Sequence, residues 1–362
     1  MSTSALSLSV LDLIPVRTPQ SSAQAIAAAV RLAQSADRLG YTRYWVAEHH
    51  NMQAVASTNP PVLIGILAAR TERIRVGSGG VMLPNHSPLV IAEQFGILEA
   101  AFPGRIDLGL GRAPGSDPMI TALLRASGAV SEVDAFPRNI ADIAALLHPD
   151  GASLSLTSGQ EYALHATPAA TGMPEIWLLG SSEYSARLAA RQGMPYVFAN
   201  HFAGDGTTQA LELYRRGFMP SETLGAPRTI LTLNVAVADT KAEALALALP
   251  QMQQMARLRS GLPLGPLATV EEAAAAPMTP ALLGMIDRMA ATWIIDEPVA
   301  AAARIRALAT QFGVDEVMLQ PIASAYADAD PLASPAREHT LELLAAALLG
   351  GKVPADELAT AG

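Results

Sequence analysis

The chain has 362 residues, half of them hydrophobic and 16% charged, which supplies a large core and excludes an intrinsically disordered chain. Its 24 basic and 33 acidic residues leave a net charge of -9 with no basic stripe, so nucleic acid is not an expected partner. The absence of cysteine excludes disulfides, thiolate nucleophiles, cysteine-ligated zinc and iron–sulfur clusters.

From the start of the chain, Met1 to Val10 carries neither a positive n-region nor a long apolar run, and nothing later nears the ~20 apolar residues of a membrane span. The expectation is a cytoplasmic protein with no membrane partner. Short apolar runs then alternate with helical patterns. Candidate strands are Leu6–Asp12, Tyr44–Ala47, Ile74–Gly77, Ile106–Gly109, Ile176–Leu179, Tyr196–Phe198, Thr229–Val237 and Glu316–Gln320. That is the number at which a parallel sheet closes into a filled barrel, so the fold class is α/β, a (β/α)8 TIM barrel. An open doubly wound sheet would place a glycine fingerprint after the first strand, where this chain has Pro15 and Pro19.

Between the strands, Ser21 or Ser22 caps a helix reaching Leu39, with Gly40 at its C′ position. Asn59-Pro60-Pro61 opens the next helix. Two connections exceed the usual length, at about 113–174 after strand 4 and 240–292 after strand 7. The first holds a helix, Phe136–Leu147, and a hairpin around Thr157-Ser158-Gly159-Gln160. The second holds Gly261-Leu262-Pro263-Leu264-Gly265-Pro266 and the acidic, alanine-rich Glu271–Pro277, read either as a lid or as a linker. The domain reading is one barrel over 1–345, followed by a tail over 346–362.

Barrel enzymes build their sites at the C-terminal ends of strands. Strand 2 is followed by Glu48-His49-His50-Asn51. Neighbouring residues face opposite ways, so one histidine faces the axis as an acid/base group and the pair is not a metal site. A histidine bracing the loop is the structural alternative. Strand 3 is followed by Gly77-Ser78-Gly79-Gly80, where missing side chains let a flat ring approach the backbone. Strand 4 is followed by Gly109-Leu110-Gly111-Arg112, whose spacing is not that of a dinucleotide site. Arg112 suits a phosphate or an anionic ring, and a rim salt bridge is the alternative. After strand 5, Gly180-Ser181-Ser182-Glu183-Tyr184-Ser185 opens a helix and offers an anion site. No GxSxG elbow, P-loop, HExxH or EF-hand loop is found, and no metal is expected.

Three segments resemble the bacterial luciferase-like flavin monooxygenases: Tyr44–Met52, Arg75–His86 with Pro88–Gln94, and Phe102–Gly115. The likeness runs from Leu6 to Phe202 and more loosely to Gln320. It implies a TIM barrel that uses reduced FMN, supplied by a separate flavin reductase, and O2 as co-substrates through a C4a-peroxyflavin, commonly as a homodimer. His49 takes the position of the family's catalytic histidine. Gly79-Gly80 matches a pair joined in relatives by a non-proline cis peptide beneath the flavin ring. Arg112, Ser181, Ser182, Tyr184 and Ser185 match positions around the flavin phosphate, and Gly180, a further cofactor-binding candidate, stands where luciferase itself has a glutamate. The turn before the last barrel helix reads Ile295-Asp296-Glu297-Pro298, with Asp296 expected to cap that helix.

The leading reading is a monooxygenase acting on a small nonpolar or aromatic molecule. His50, Met82, His86 and Phe202 are candidate pocket residues, with Met219 also near the mouth. A deazaflavin (F420)-dependent hydride-transfer enzyme and a non-catalytic flavin-binding subunit are the alternatives. Helices flanking strands 2 and 3 are the expected dimer interface.

Overall fold

Eight parallel strands close on themselves in the computed structural model, which describes residues 6–113, 115, 118–125, 133–204 and 206–350. They are β1 (Ser7–Asp12), β2 (Arg43–Val46), β3 (Arg75–Ser78), β4 (Ile106–Gly111), β5 (Glu175–Gly180), β6 (Tyr196–Phe198), β7 (Thr229–Val237) and β8 (Glu316–Pro321). Each pairs with the next, and β8 returns to β1, with Val10 opposite both Tyr44 and Leu319. Every strand lies on one of the apolar runs read from the sequence. The runs are continuous rather than alternating because both faces of a parallel sheet are covered. In β7 all nine residues are buried: Leu231, Leu233 and Val235 meet the outer helices, while Ile230 and Thr232 face the interior.

The helices begin where the sequence signals them. Ser21 closes a capping box with Gln24 at the start of Ser22–Arg38, and Gly40, at φ 80°, turns the chain out beyond its end. Asn59 caps Pro60–Ala68 by accepting from Val62 N. The first insertion contains Phe136–Leu147 and an antiparallel hairpin of Ala152–Ser155 with Glu161–Leu164. The last helix runs from Pro335 to Leu348, past the expected boundary at 345, and residues 351–362 of the expected tail lie outside the described residues. No described helix is long and apolar enough to cross a membrane.

The second insertion is a packed layer and not a linker. Lys241–Arg259, Val270–Ala275 and Pro280–Thr292 form a hydrophobic cluster of their own, sealed by Ile295 and Ile322. Backbone bonds between Val16 and Leu267, Thr18 and Leu267, and Val270 and Ala325 fasten it to loops after β1 and β8. The chain then forms an extra strand, Ile294–Asp296, beside Val235–Val237 of β7. It lies on the edge that β6 occupies only as far as Leu231, leaving an open seam between them. The expected role of Asp296 is corrected here. Glu297 is the N-cap residue, without a side-chain cap bond, because Asp296 is the last residue of the strand and pairs with Lys241 at 3.1 Å.

Charged residues fill the N-terminal end of the barrel. Arg43 reaches Asp107 and Glu175 at 2.8 Å and Glu316 at 3.0 Å, while Arg75 Nε donates to Asp107 at 2.8 Å. Arg228 also pairs with Glu175. Burial pushes the Arg43 guanidinium down, but the three carboxylates outweigh it and hold the group charged. Above this floor Trp45 and Trp177 meet edge to face at 5.5 Å, each indole donating to a floor carboxylate.

Candidate active site

The β2 strand ends at Val46, and its next residues are tied down at once. His49 N donates to Ser57 O at 3.0 Å and His50 N to Gly115 O at 3.1 Å. Glu48 is fully buried, and its carboxylate is the hub of the loop. His50 Nε2 donates to it at 2.9 Å, His86 Nε2 at 2.8 Å and Met82 N at 2.9 Å. Burial alone would raise the Glu48 pKa, yet these hydrogen bonds bring it down to about 2. An ionised carboxylate only accepts, so both histidines present Nε2–H to it.

His49 faces the other way. It lines a largely apolar cavity with Leu13, Met52, Phe202, Met255 and Gln320. Its Nδ1 is buried with no hydrogen-bond partner. Burial depresses its pKa below the ordinary histidine value, against a smaller opposing pull from Glu48, so the imidazole is neutral near pH 7. A neutral ring with an uncommitted nitrogen can accept or deliver a proton at that atom.

A second histidine shares the interior. His201 follows β6 in the short helix Asn200–Ala203, and its Nδ1 lies 2.9 Å from Thr232 Oγ1. The Thr232 hydroxyl donates to Phe198 O, so His201 donates from Nδ1 and keeps Nε2 as an acceptor. Burial and then His49 push its pKa down to about 4.

The glycine pairs hold the strand ends close. Gly79 and Gly80 are joined by a cis peptide, as the resemblance implied. A Cβ on Gly79 would lie 2.8 Å from Leu11 Cδ1, and one on Gly80 only 2.5 Å from Leu179 Cδ1. Gly79 borders an interior cavity with Leu11, Trp45, Leu179 and His201. At Gly180 a Cβ would fall 2.0 Å from Ser185 Oγ, so the glycine lets the helix Glu183–Gln192 start tight against β5.

That helix start gathers the expected anion-binding residues. The Arg112 guanidinium carbon lies over Tyr184, 4.1 Å from the ring centroid, with no carboxylate partner among the described residues. Ser182 is the N-cap residue but makes no side-chain cap bond, and Ser181 and Ser182 are both exposed. Ser185 differs. It is buried, and its hydroxyl donates to Ser182 O at 2.9 Å and meets Tyr196 OH at 3.3 Å, so it braces the turn and is not open to a ligand.

The residues fit a flavin. An arginine and two hydroxyls without partners among the described residues, with the positive end of a helix dipole, suit a phosphate. Gly79 borders the interior cavity with no side chain of its own, and the buried His49 Nδ1 has no hydrogen-bond partner.

The luciferase-like monooxygenase family matches residues 6–316. The chain belongs to that family. It is 45% identical over 264 residues to a luciferase-like monooxygenase of Escherichia coli K12, covering 72% of this chain and 75% of that protein. The crystal structure of apo-MsnO8 is similar with a TM-score of 0.82 and 33% identity, covering 94% of this chain and 98% of the other. The oxygenating constituent of 3,6-diketocamphane monooxygenase from Pseudomonas putida, solved with FMN, shares the fold. Its TM-score is 0.67 at 18% identity, covering 95% of this chain and 98% of that one.

Within this luciferase-like barrel, several candidate pocket residues lie elsewhere than expected. Only Phe202 borders the His49 cavity. His50 and His86 are spent on Glu48, and Met82 gives its N–H to the same carboxylate while its side chain lies against Gly111 and Gly115. Met219 is corrected outright. Its N–H bonds Ala190 O at the C-terminal end of helix Glu183–Gln192, which returns to the floor end of the barrel. The sequence reading did not assign roles to Glu48 as a hub, to His201, or to Gln320 at the cavity. Glu48 carried a signal of its own, a carboxylate at a strand end beside two histidines.

Proposed function

We propose that the protein is a monooxygenase using reduced FMN, delivered by a separate flavin reductase, and O2 to oxidise a small nonpolar or aromatic molecule. The observation that carries this reading is Arg112 on Tyr184, without a carboxylate partner among the described residues, at the uncapped start of helix Glu183–Gln192 and on the same rim as His49. Arg112, Ser181, Ser182 and the backbone N–H groups of that helix would hold the phosphate, and Gly79-Gly80 would face the ring. When bound, the flavin supplies electrons to activate O2. His49 takes or returns a proton at Nδ1, and Glu48 fixes the loop that carries it. The apolar wall of Leu13, Met52, Met255 and Leu258 excludes water and favours a nonpolar substrate, with Gln251 and Gln320 as polar contacts.

A second copy of the chain is proposed to cover one apolar face. Val62 is 60% exposed on helix Pro60–Ala68, and Leu89, Val90 and Ile97 are 41%, 46% and 51% exposed on Pro88–Ala101. These two helices follow β2 and β3 and pack side by side.

The test is anaerobic calorimetric titration with reduced FMN, followed by oxygen uptake with a flavin reductase present. The expected result is saturable binding, weakened about tenfold or more in Arg112→Ala, through loss of a charge-assisted contact. Binding with no effect on oxygen uptake under any substrate tried would favour the non-catalytic subunit. Failure to bind FMN in either redox state, with binding of the deazaflavin, would replace the monooxygenase by a hydride-transfer enzyme.

A further inference from the structure

The seam between β6 and the extra strand Ile294–Asp296 opens into a cavity of about 690 Å³. That is a typical size for a small-molecule site. Its inner side is formed by His201 and Asn234, and its outer side by the helices Lys241–Arg259, Pro280–Thr292 and Pro298–Phe312. Each of these helices sends an arginine to it: Arg259, Arg288 and Arg304.

No described lining residue is acidic, and none of the three arginines has a carboxylate partner among the described residues. Arg259 donates to Phe202 O at 2.8 Å. Arg304 donates to the carbonyls of Thr292 and Trp293 at 2.7 and 2.8 Å, closing the end of Pro280–Thr292. Arg288 makes no side-chain hydrogen bond or ion pair with any described residue. Three cations bordering one cavity repel each other, and a bound anion removes that repulsion. A guanidinium fork suits a carboxylate in particular. Asn200, Thr292 and Gln311 add polar groups to the wall, and its apolar part includes Trp293, Leu308 and Phe312.

We propose that this cavity is a second ligand site, separate from the His49 cavity, that binds a small organic carboxylate. The carboxylate sits between Arg259, Arg288 and Arg304, and its apolar body lies against Trp293 and Phe312. Phe202 borders both cavities, so the ligand abuts the wall of the catalytic pocket. The assignment does not depend on which flavin the barrel holds.

Trp293 provides the readout. It is one of three tryptophans, and Trp45 and Trp177 are 1% and 0% exposed inside the barrel. The full chain, labelled with 5-fluorotryptophan, is titrated with octanoate, 1-octanol and inorganic phosphate while its fluorine resonances are followed, Trp293 being assigned with Trp293→Phe. Octanoate is expected to move the Trp293 resonance alone and to bind about tenfold or more tightly than octanol, the gain of one charge-assisted contact. Arg288→Gln should remove that advantage and Arg288→Lys should restore part of it, with the unfolding midpoint unchanged in both. Equal binding of octanoate and octanol would overturn the site, as would octanoate binding that survives Arg288→Gln. Phosphate moving Trp293 where octanoate does not would overturn the carboxylate class.

Discussion

At the N-terminal end of the barrel, Arg43 meets three carboxylates, Arg75 meets Asp107, and both interior tryptophans spend their N–H groups on the same acids. At the C-terminal end, Arg112 meets an aromatic ring and no acid among the described residues, Ser182 makes no side-chain cap bond, and His49 Nδ1 is buried without a partner. The same strands carry both ends. What differs is whether polar groups satisfy one another or are left for something else to satisfy. The paired acids of the floor hold the barrel shut, although Arg228 Nε and Thr229 Oγ1 are buried there without partners. An unsatisfied group at the rim costs stability that a ligand can return.

The comparison breaks most severely at the floor. Asp107→Ala leaves Arg43 with Glu175 and Glu316 but removes the buried acceptor that Arg43, Arg75 and Trp45 share. It is expected to cost about 3 kcal/mol, the low end of the penalty for removing one partner of a buried ion pair. Urea unfolding measures it, and a loss below about 1 kcal/mol would mean that the floor is not the clamp described here. At the mouth, His49→Ala should lower turnover about a hundredfold, within the range for general acid–base groups. Its unfolding free energy should fall by no more than about 1 kcal/mol, since no side-chain bond is lost. A large stability change with intact turnover would make His49 a brace.

The pH dependence of His201 sharpens the contrast. Its pKa falls to about 4 from an ordinary 6.5, so the unfolded chain binds the proton more readily between those values. The stability contributed by neutral His201 is complete above pH 6.5 and is lost as the pH falls toward 4. Unfolding midpoints at pH 7 and pH 5 should therefore differ less in His201→Gln than in the unaltered protein; an equal difference would count against the buried, neutral assignment. The smallest effect concerns the apolar face. Val62→Asp with Ile97→Glu should yield a monomer in sedimentation with an unchanged helical spectrum, whereas an unaltered association state would remove that face as the contact between copies.

Much of this was legible locally. The eight strands, the Ser21 and Asn59 caps, the hairpin and the strand end that carries His49 and His50 each follow from a short window, because periodicity, capping and strand-end position are properties of neighbours in sequence. Arg112 and Tyr184 were both marked as anion-site candidates, but their stacking joins residues of two different βα loops. Glu48 escaped because its partners His50, Met82 and His86 come from the loops after β2 and β3, and only the closed barrel brings them together.

The sequence by itself therefore determined the barrel, its strand order and the rim on which chemistry can occur, since each rests on local patterns of burial and turn formation. Only the tertiary structure decided which histidine is free. His50 and His86 are consumed by Glu48, and His49 is left with an open nitrogen. It alone also made Gly261–Pro277 part of a packed wall and brought Arg259, Arg288 and Arg304 around one cavity. Those outcomes depend on distances across the fold, which closure of the sheet sets and no window of the chain contains.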